Sequence, residues 1–259
     1  MNRLESAFQN KPIFMPYFPL GYPDLPASID VIEALAKHGA DVIEVGLSFS
    51  DPLADGPVIQ QATQIALEKG ITVRKSLEAV KQLRQRGVDI PLILMGYYNP
   101  MLAYGLEKFI REAKEAGADG FIIPDLPMEE AEEFTSVAGD LPLIQMLAPT
   151  SPDERMELIA RNAQGFIYLV SVTGVTGERR EISNNLGALI NRVRAHTSAP
   201  VCVGFGIGTP EQAKQVGQLA DGVIVGSACV KMIGSSQKPV ETAKQFAAEF
   251  RSALSALRK

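Results

Sequence analysis

The sequence predicts an α/β fold, a closed (β/α)₈ TIM barrel, and three observations lead there. Eight short apolar runs recur along the chain, longer stretches with helical periodicity separate them, and glycines stand where those stretches stop. The 259 residues, 46% hydrophobic and 21% charged, fit one catalytic domain spanning 1–259, because no linker or change of composition divides them.

The strand candidates are residues 13–18, 41–48, 91–97, 120–125, 142–149, 165–171, 201–207 and 222–228. Helical segments lie between them, such as 28–39 and 106–117; in the second, Phe109, Ile110, Ala113 and Ala116 form one apolar stripe. Gly39 and Gly117 are the expected stops, since glycine takes a left-handed C-cap without steric penalty. A weak repeat, HGADVIEVG (38–46), AGADGFIIP (116–124) and LADGVIVGS (219–227), closes a helix and feeds a strand each time. Strands apolar on both faces belong in a parallel sheet covered by helices, which favours the barrel over a doubly wound open sheet. After the second strand comes an unusually long passage, a broad loop and two helices over 58–70 and 72–87, at the end of the barrel where active sites form.

Composition narrows the function. A net charge of −5 and the lack of a basic stripe argue against nucleic acid; KQLRQR (81–86) reads as the wet face of a helix. No apolar run is long enough to cross a membrane, and the opening MNRLESAFQN lacks a signal-peptide core, so a cytoplasmic protein is expected, or a plastid-stromal one if the source is a plant or alga. Cys202 and Cys229, each in apolar sequence, read as inert buried thiols.

The chemistry concentrates in EVGLSFSDPLADGP (44–57). Strand alternation puts Val42, Glu44 and Gly46 on one face and Ile43, Val45 and Leu47 on the other. With the branched set against the helices, Glu44 points into the barrel near its mouth, and Gly46 leaves room for a ligand. Desolvation there disfavours the carboxylate and raises its pKa towards the range of a proton shuttle; the bland alternative is a structural glutamate that caps backbone groups or pairs with a base. Asp51, before Pro52, reads first as a turn residue. Asp55 could also organise a turn, and its place beside the same mouth makes it the best second carboxylate.

Late in the chain, SVTGVTG (171–177), GFGIGTPEQ (204–212) and GSACV (226–230) place glycines at the ends of three consecutive strand candidates. Their backbone N–H groups can approach an anion, and Ser227 would open a short helix with exposed amides. None of the strands carries a lysine for a Schiff base, and His38 and His196 lie away from any strand end, so neither a Schiff-base aldolase nor a clustered metal site is expected. Proton transfer on a small phosphorylated metabolite is what remains.

These motifs, with MPYFPLGYP (15–23), MGYYNP (95–100) and PDLPMEE (124–130), closely resemble the alpha subunits of tryptophan synthase from end to end. The resemblance implies a metal- and Schiff-base-independent lyase that cleaves indole-3-glycerol phosphate to indole and glyceraldehyde 3-phosphate. It implies Glu44 as general acid and base and Asp55 as partner of the indole nitrogen. Tyr17, Tyr97, Tyr168 and Thr176 would line the pocket, and Gly177, Gly206, Gly226 and Ser227 would grip the phosphate. Val172 stands where an arginine is frequent. No cofactor is implied in this chain; the implied partner, a beta subunit in an α₂β₂ complex, carries pyridoxal phosphate. NPMLAYG (99–105), PDLPMEE and the Asp51 loop would be the contact region. The Asp51–Pro57 loop and the 171–185 segment look able to close over substrate. A phosphate-sugar isomerase or related barrel lyase, and a barrel that serves only as scaffold for an indole-using synthase, are the competing readings.

Overall fold

In the computed structural model, eight parallel strands pair in chain order and close on themselves, β1 to β8, so the open-sheet alternative falls. The structure describes residues 2–170, 179–204 and 206–258, with the backbone alone for 179–185. The strands are β1 (Ile13–Pro19), β2 (Ile43–Gly46), β3 (Leu92–Met95), β4 (Gly120–Ile122), β5 (Leu143–Leu147), β6 (Ile167–Val170), β7 (Val201–Gly204) and β8 (Gly222–Val225). Each lies within or next to its expected run, because a segment covered on both faces must be apolar throughout and such runs are conspicuous.

Alternation along the strands divides two cores. Ile13 and Met15, Val42, Ile93, Ile122, Ile144, Cys202 and Ile224 fill the barrel interior, while Phe14 and Phe18, Ile43 and Val45, Leu92 and Leu94, and Phe121 face the helices. Leu4 and Phe8, carried by the helix Arg3–Ala7 and its C-cap, join Phe166 to plug the N-terminal end, with the Phe8 and Phe166 rings 5.8 Å apart. Both cysteines are free and buried.

The predicted helices are present as Leu25–His38, Pro57–Glu68, Val73–Gln85 and Leu106–Ala116, and Gly39 and Gly117 cap the first and last of them. At Gly39 the reason is proximity: a Cβ would lie 2.5 Å from the carbonyl oxygen of Ala247 in the helix Pro239–Ser255. NPMLAYG, expected in the contact region, lies largely within the helix Tyr98–Tyr104, and the helix Arg179–Arg194 begins inside the 171–185 segment.

The weak internal repeat has a physical cause. Its aspartate stands just before β2, β4 and β8, and each time the carboxylate reaches back to accept the backbone N–H near the start of the preceding strand. Asp41 accepts from Phe14 at 2.7 Å, Asp119 from Leu92 at 2.8 Å and Asp221 from Val201 at 3.0 Å. Cations complete each clamp: Arg258 on Asp41, Arg84 and Arg3 on Asp119, Lys11 and Arg194 on Asp221. Three adjacent strand pairs are thus held in register at the barrel's N-terminal end.

Arg84 therefore corrects the reading of KQLRQR as a wet helix face. Its side chain is 12% exposed and donates to the carbonyls of Val88 (2.5 Å), Ile90 (2.7 Å) and Gly117 (2.9 Å) besides Asp119. Arg86, two residues on, pairs with Asp30 and Glu33 in solvent. Removing the first leaves buried acceptors unpaired, whereas exposed pairs contribute little. Arg84→Met should cost about 3 kcal/mol of unfolding free energy in a urea titration, and Arg86→Met less than about 1 kcal/mol; equal losses would show that the clamp carries no special weight.

Candidate active site

At the C-terminal mouth, the ends of the strands enclose a cavity of ≈ 290 Å³. Glu44 rises into it from the middle of β2, whose alternation sends Val42 and Glu44 inward and Ile43 and Val45 to the helices. Its side chain is 1% exposed, and Oε1 has no hydrogen-bond partner among the described residues. Burial, with no cation among the described residues to oppose it, pushes its carboxyl up to about 8. A capping or ion-paired structural glutamate would hold such partners, so the bland reading of this residue loses its basis.

Asp55 lies on the loop between β2 and the helix Pro57–Glu68 and lines the same cavity. The Tyr97 hydroxyl donates to its Oδ2 at 3.1 Å and accepts the N–H of Ala54 at 3.0 Å, which fixes the loop tip to the end of β3. Burial raises the Asp55 pKa while the Tyr97 hydrogen bond pulls it down, so the loop is less polar around this carboxylate than its composition predicts. Asp51 takes no part in the cavity: it is exposed, accepts from the Ser50 hydroxyl at 2.5 Å, and its carbonyl accepts the Leu53 N–H, as a turn residue does.

The aromatic residues divide. Tyr17 on β1, paired in register with Glu44, and Tyr168 on β6 line the cavity. Tyr97 does not; it stands behind the Asp55 loop with Phe49 packed 5.5 Å away. Gly46 does not leave open space for a ligand either. A Cβ there would lie 2.3 Å from the Tyr17 hydroxyl, and one at Gly204 would lie 2.4 Å from that of Tyr168. The two glycines are seats for phenol rings from neighbouring strands.

Opposite the carboxylates, Gly206, Gly226 and Ser227 border the cavity together with Gly208 and Ala228. Gly206 has φ +75°, a conformation that glycine adopts without penalty. Ser227 and Ala228 open the helix Ser227–Gly234, whose N-cap, Gly226, supplies no side-chain cap, so its first amides are available to an anion. Thr176 and Gly177 lie outside the described residues. The apolar lining comes from Ile59, Met95, Pro124, Met146, Ile207 and Ile224. Met95, Met146 and Ile224 sit on inward strand positions near the mouth, and the alternation that picks out Glu44 would have found them too.

A carboxyl buried without a counter-charge among the described residues, a second carboxylate held from behind, an apolar lining and an amide-rich rim suit proton transfer on a flat apolar group with an anionic tail. The family model for the tryptophan synthase alpha chain matches residues 4–257. The tryptophan synthase alpha chain of Chloroflexus aggregans is 48% identical over 237 residues, 89% of each chain, and that of Roseiflexus sp. 50% identical over 221 residues, 85% of each. The crystal structure of the Legionella pneumophila tryptophan synthase alpha chain superposes with a TM-score of 0.88 at 37% identity, covering 98% of this chain and 97% of that one. On barrel and sequence alike, the chain belongs to the tryptophan synthase alpha chain family.

Proposed function

We propose that this chain is a lyase of tryptophan biosynthesis that cleaves indole-3-glycerol phosphate to indole and glyceraldehyde 3-phosphate by a retro-aldol reaction. The observation that carries the reading is Glu44, a carboxyl protonated near neutrality and unpaired in the cavity.

Indole leaves poorly as a carbanion, so ring C3 must be protonated before its bond to the glycerol chain breaks. Neutral Glu44 gives that proton, producing a C3-protonated ring with positive charge shared by N1. The Glu44 carboxylate then takes the proton of the hydroxyl on the adjacent chain carbon. As the C–C bond breaks, the oxygen's electrons form the aldehyde and the bonding pair returns to the ring. One proton is given and one recovered. Asp55 accepts a hydrogen bond from N1–H and stabilises the charge as it develops, with Tyr97 fixing its orientation. The amides around Gly206, Gly226 and Ser227 hold the phosphate and orient the scissile bond.

The chemistry is read as free of metal and Schiff base. In support, among the described residues no group of three or more His, Cys, Asp or Glu is placed to hold a metal, and no lysine lines the cavity. A beta subunit carrying pyridoxal phosphate in an α₂β₂ complex is the proposed consumer of indole. Leu53, 91% exposed on the Asp55 loop, and Leu102, 43% exposed on the helix after β3, support a docking surface on this rim. A cytoplasmic location is part of the same proposal.

The purified chain should release indole from indole-3-glycerol phosphate. Glu44→Gln should lower kcat roughly 10³-fold with substrate binding retained, and substantial turnover by this variant would refute the assignment. With Glu44 required as acid and Asp55 as anion, kcat/KM should fall as pH rises through about 8. It should also fall on the acid side, at a pH above the ordinary aspartate range. Tyr97→Phe removes the bond that lowers the Asp55 pKa, so the acid limb should move upward and kcat/KM drop about tenfold; an unmoved limb would mean that Tyr97 does not tune Asp55.

Glu44 also links stability to pH. Its folded value of about 8 exceeds its ordinary value of 4.5, so between these the native state keeps a proton that the unfolded chain releases. Stability is therefore lost as pH rises, by about 5 kcal/mol over the window. Glu44→Gln abolishes this term. Its unfolding free energy relative to the parent should climb from about pH 5 and level off above about pH 8, and a pH-independent difference in parallel urea titrations would rule out the raised pKa.

A further inference from the structure

We propose that Tyr17 is a specificity-determining residue whose phenol hydroxyl, wedged on Gly46 beside the two carboxyls, sets the size and polarity of the cavity where the aromatic ring of the substrate lies. The proposal rests on the reaction assigned above and goes beyond it, to which rings the site accepts.

Three observations carry it. The hydroxyl cannot retreat, since a Cβ on Gly46 would be 2.3 Å from it and the backbone of β2 lies directly behind. The side chain is 4% exposed and lines the cavity, yet no hydrogen bond joins its hydroxyl to another described residue, so its polar end faces the space a ligand takes. Tyr17 is paired in register with Glu44 and lines one cavity with Glu44 and Asp55, and after burial the charges of Asp55 and then Glu44 are the largest causes of its raised pKa.

A ring lying between Glu44 and Asp55 therefore meets a fixed oxygen on the Gly46 side. An added methyl group pointing there would collide with that oxygen. The corresponding hydroxyl across the cavity, that of Tyr168, is seated on Gly204 and so guards a different wall. Removing the Tyr17 oxygen opens a hollow of about methyl size above Gly46 without touching the ring that packs the slot.

The test is the reverse condensation of glyceraldehyde 3-phosphate with indole and with 4-, 5-, 6- and 7-methylindole, comparing kcat/KM for each methylindole relative to indole. In Tyr17→Phe this ratio should rise roughly tenfold or more for at least one ring position, the scale of a methyl group in an apolar pocket. Tyr168→Phe should not raise it at the same position. A gain below tenfold at all four positions overturns the proposal, and so does an equal gain at the same position in Tyr168→Phe, which would indicate general loosening. Indole turnover by the parent chain with unchanged selectivity in the variant defeats only the role of Tyr17. No condensation of indole by the parent chain defeats the assigned reaction and this inference together.

Discussion

A carboxyl group desolvated without a counter-charge is the constraint around which the mouth of this barrel is organised. Glu44 stands among Tyr17, Met95, Met146, Tyr168 and Ile224, and among the described residues no cation lines the cavity and Oε1 has no hydrogen-bond partner. Such burial is expensive for the ionised form, and the group meets the cost by keeping its proton near neutrality. The opposite end of the same barrel treats its acids in the reverse way. Asp41, Asp119 and Asp221 each hold a strand N–H and at least one Arg or Lys. Paired carboxylates lock the strands at one end, and an unpaired one is left reactive at the other, a division of labour common to barrels of this architecture.

The two acids of the mouth are separated by environment. Glu44 is enclosed on a rigid strand, where only burial acts on it. Asp55 sits on a loop, and a hydroxyl donor from the next strand end opposes the effect of burial. That difference in environment favours the protonated form at Glu44 more than at Asp55, which is what the proposed division of roles requires. Tyr97 matters to the site although it does not border the cavity, because its hydroxyl bridges Asp55 and the Ala54 amide and so couples loop position to the electrostatics of the carboxylate.

Much of this was legible in the sequence because it depends on local pattern. Fully covered strands are apolar runs, helices before them end at Gly39 and Gly117, and period-two alternation aims Glu44 inward. What depended on contacts between distant segments was not legible. The repeated aspartate was visible as a repeat, but the amide it accepts belongs to the previous strand, 27 residues away for both Asp41 and Asp119. Arg84 was assigned to solvent because its helix face is polar, although the carbonyls that surround it come from the turn that follows and from Gly117. Gly46 was read as space because the ring that fills it arrives from β1.

A last consequence concerns how an acidic site can hold an anionic substrate. A lysine or arginine at the rim would be the direct solution, yet none lines the cavity among the described residues. A unit positive charge 8 Å from Glu44 would favour its ionised form by roughly 2 kcal/mol at an effective dielectric constant of about 20, which is about 1.5 pH units. That would carry the carboxyl below neutrality and empty it of the proton the reaction needs first. Backbone amides avoid the conflict, because the field of a dipole falls away faster with distance than that of a charge, so the amides around Gly206, Gly226 and Ser227 can grip a phosphate while leaving Glu44 almost undisturbed. In the proposed reaction the phosphate's own negative charge would act in the useful direction, disfavouring the carboxylate further, so that the bound substrate would itself help to keep Glu44 protonated.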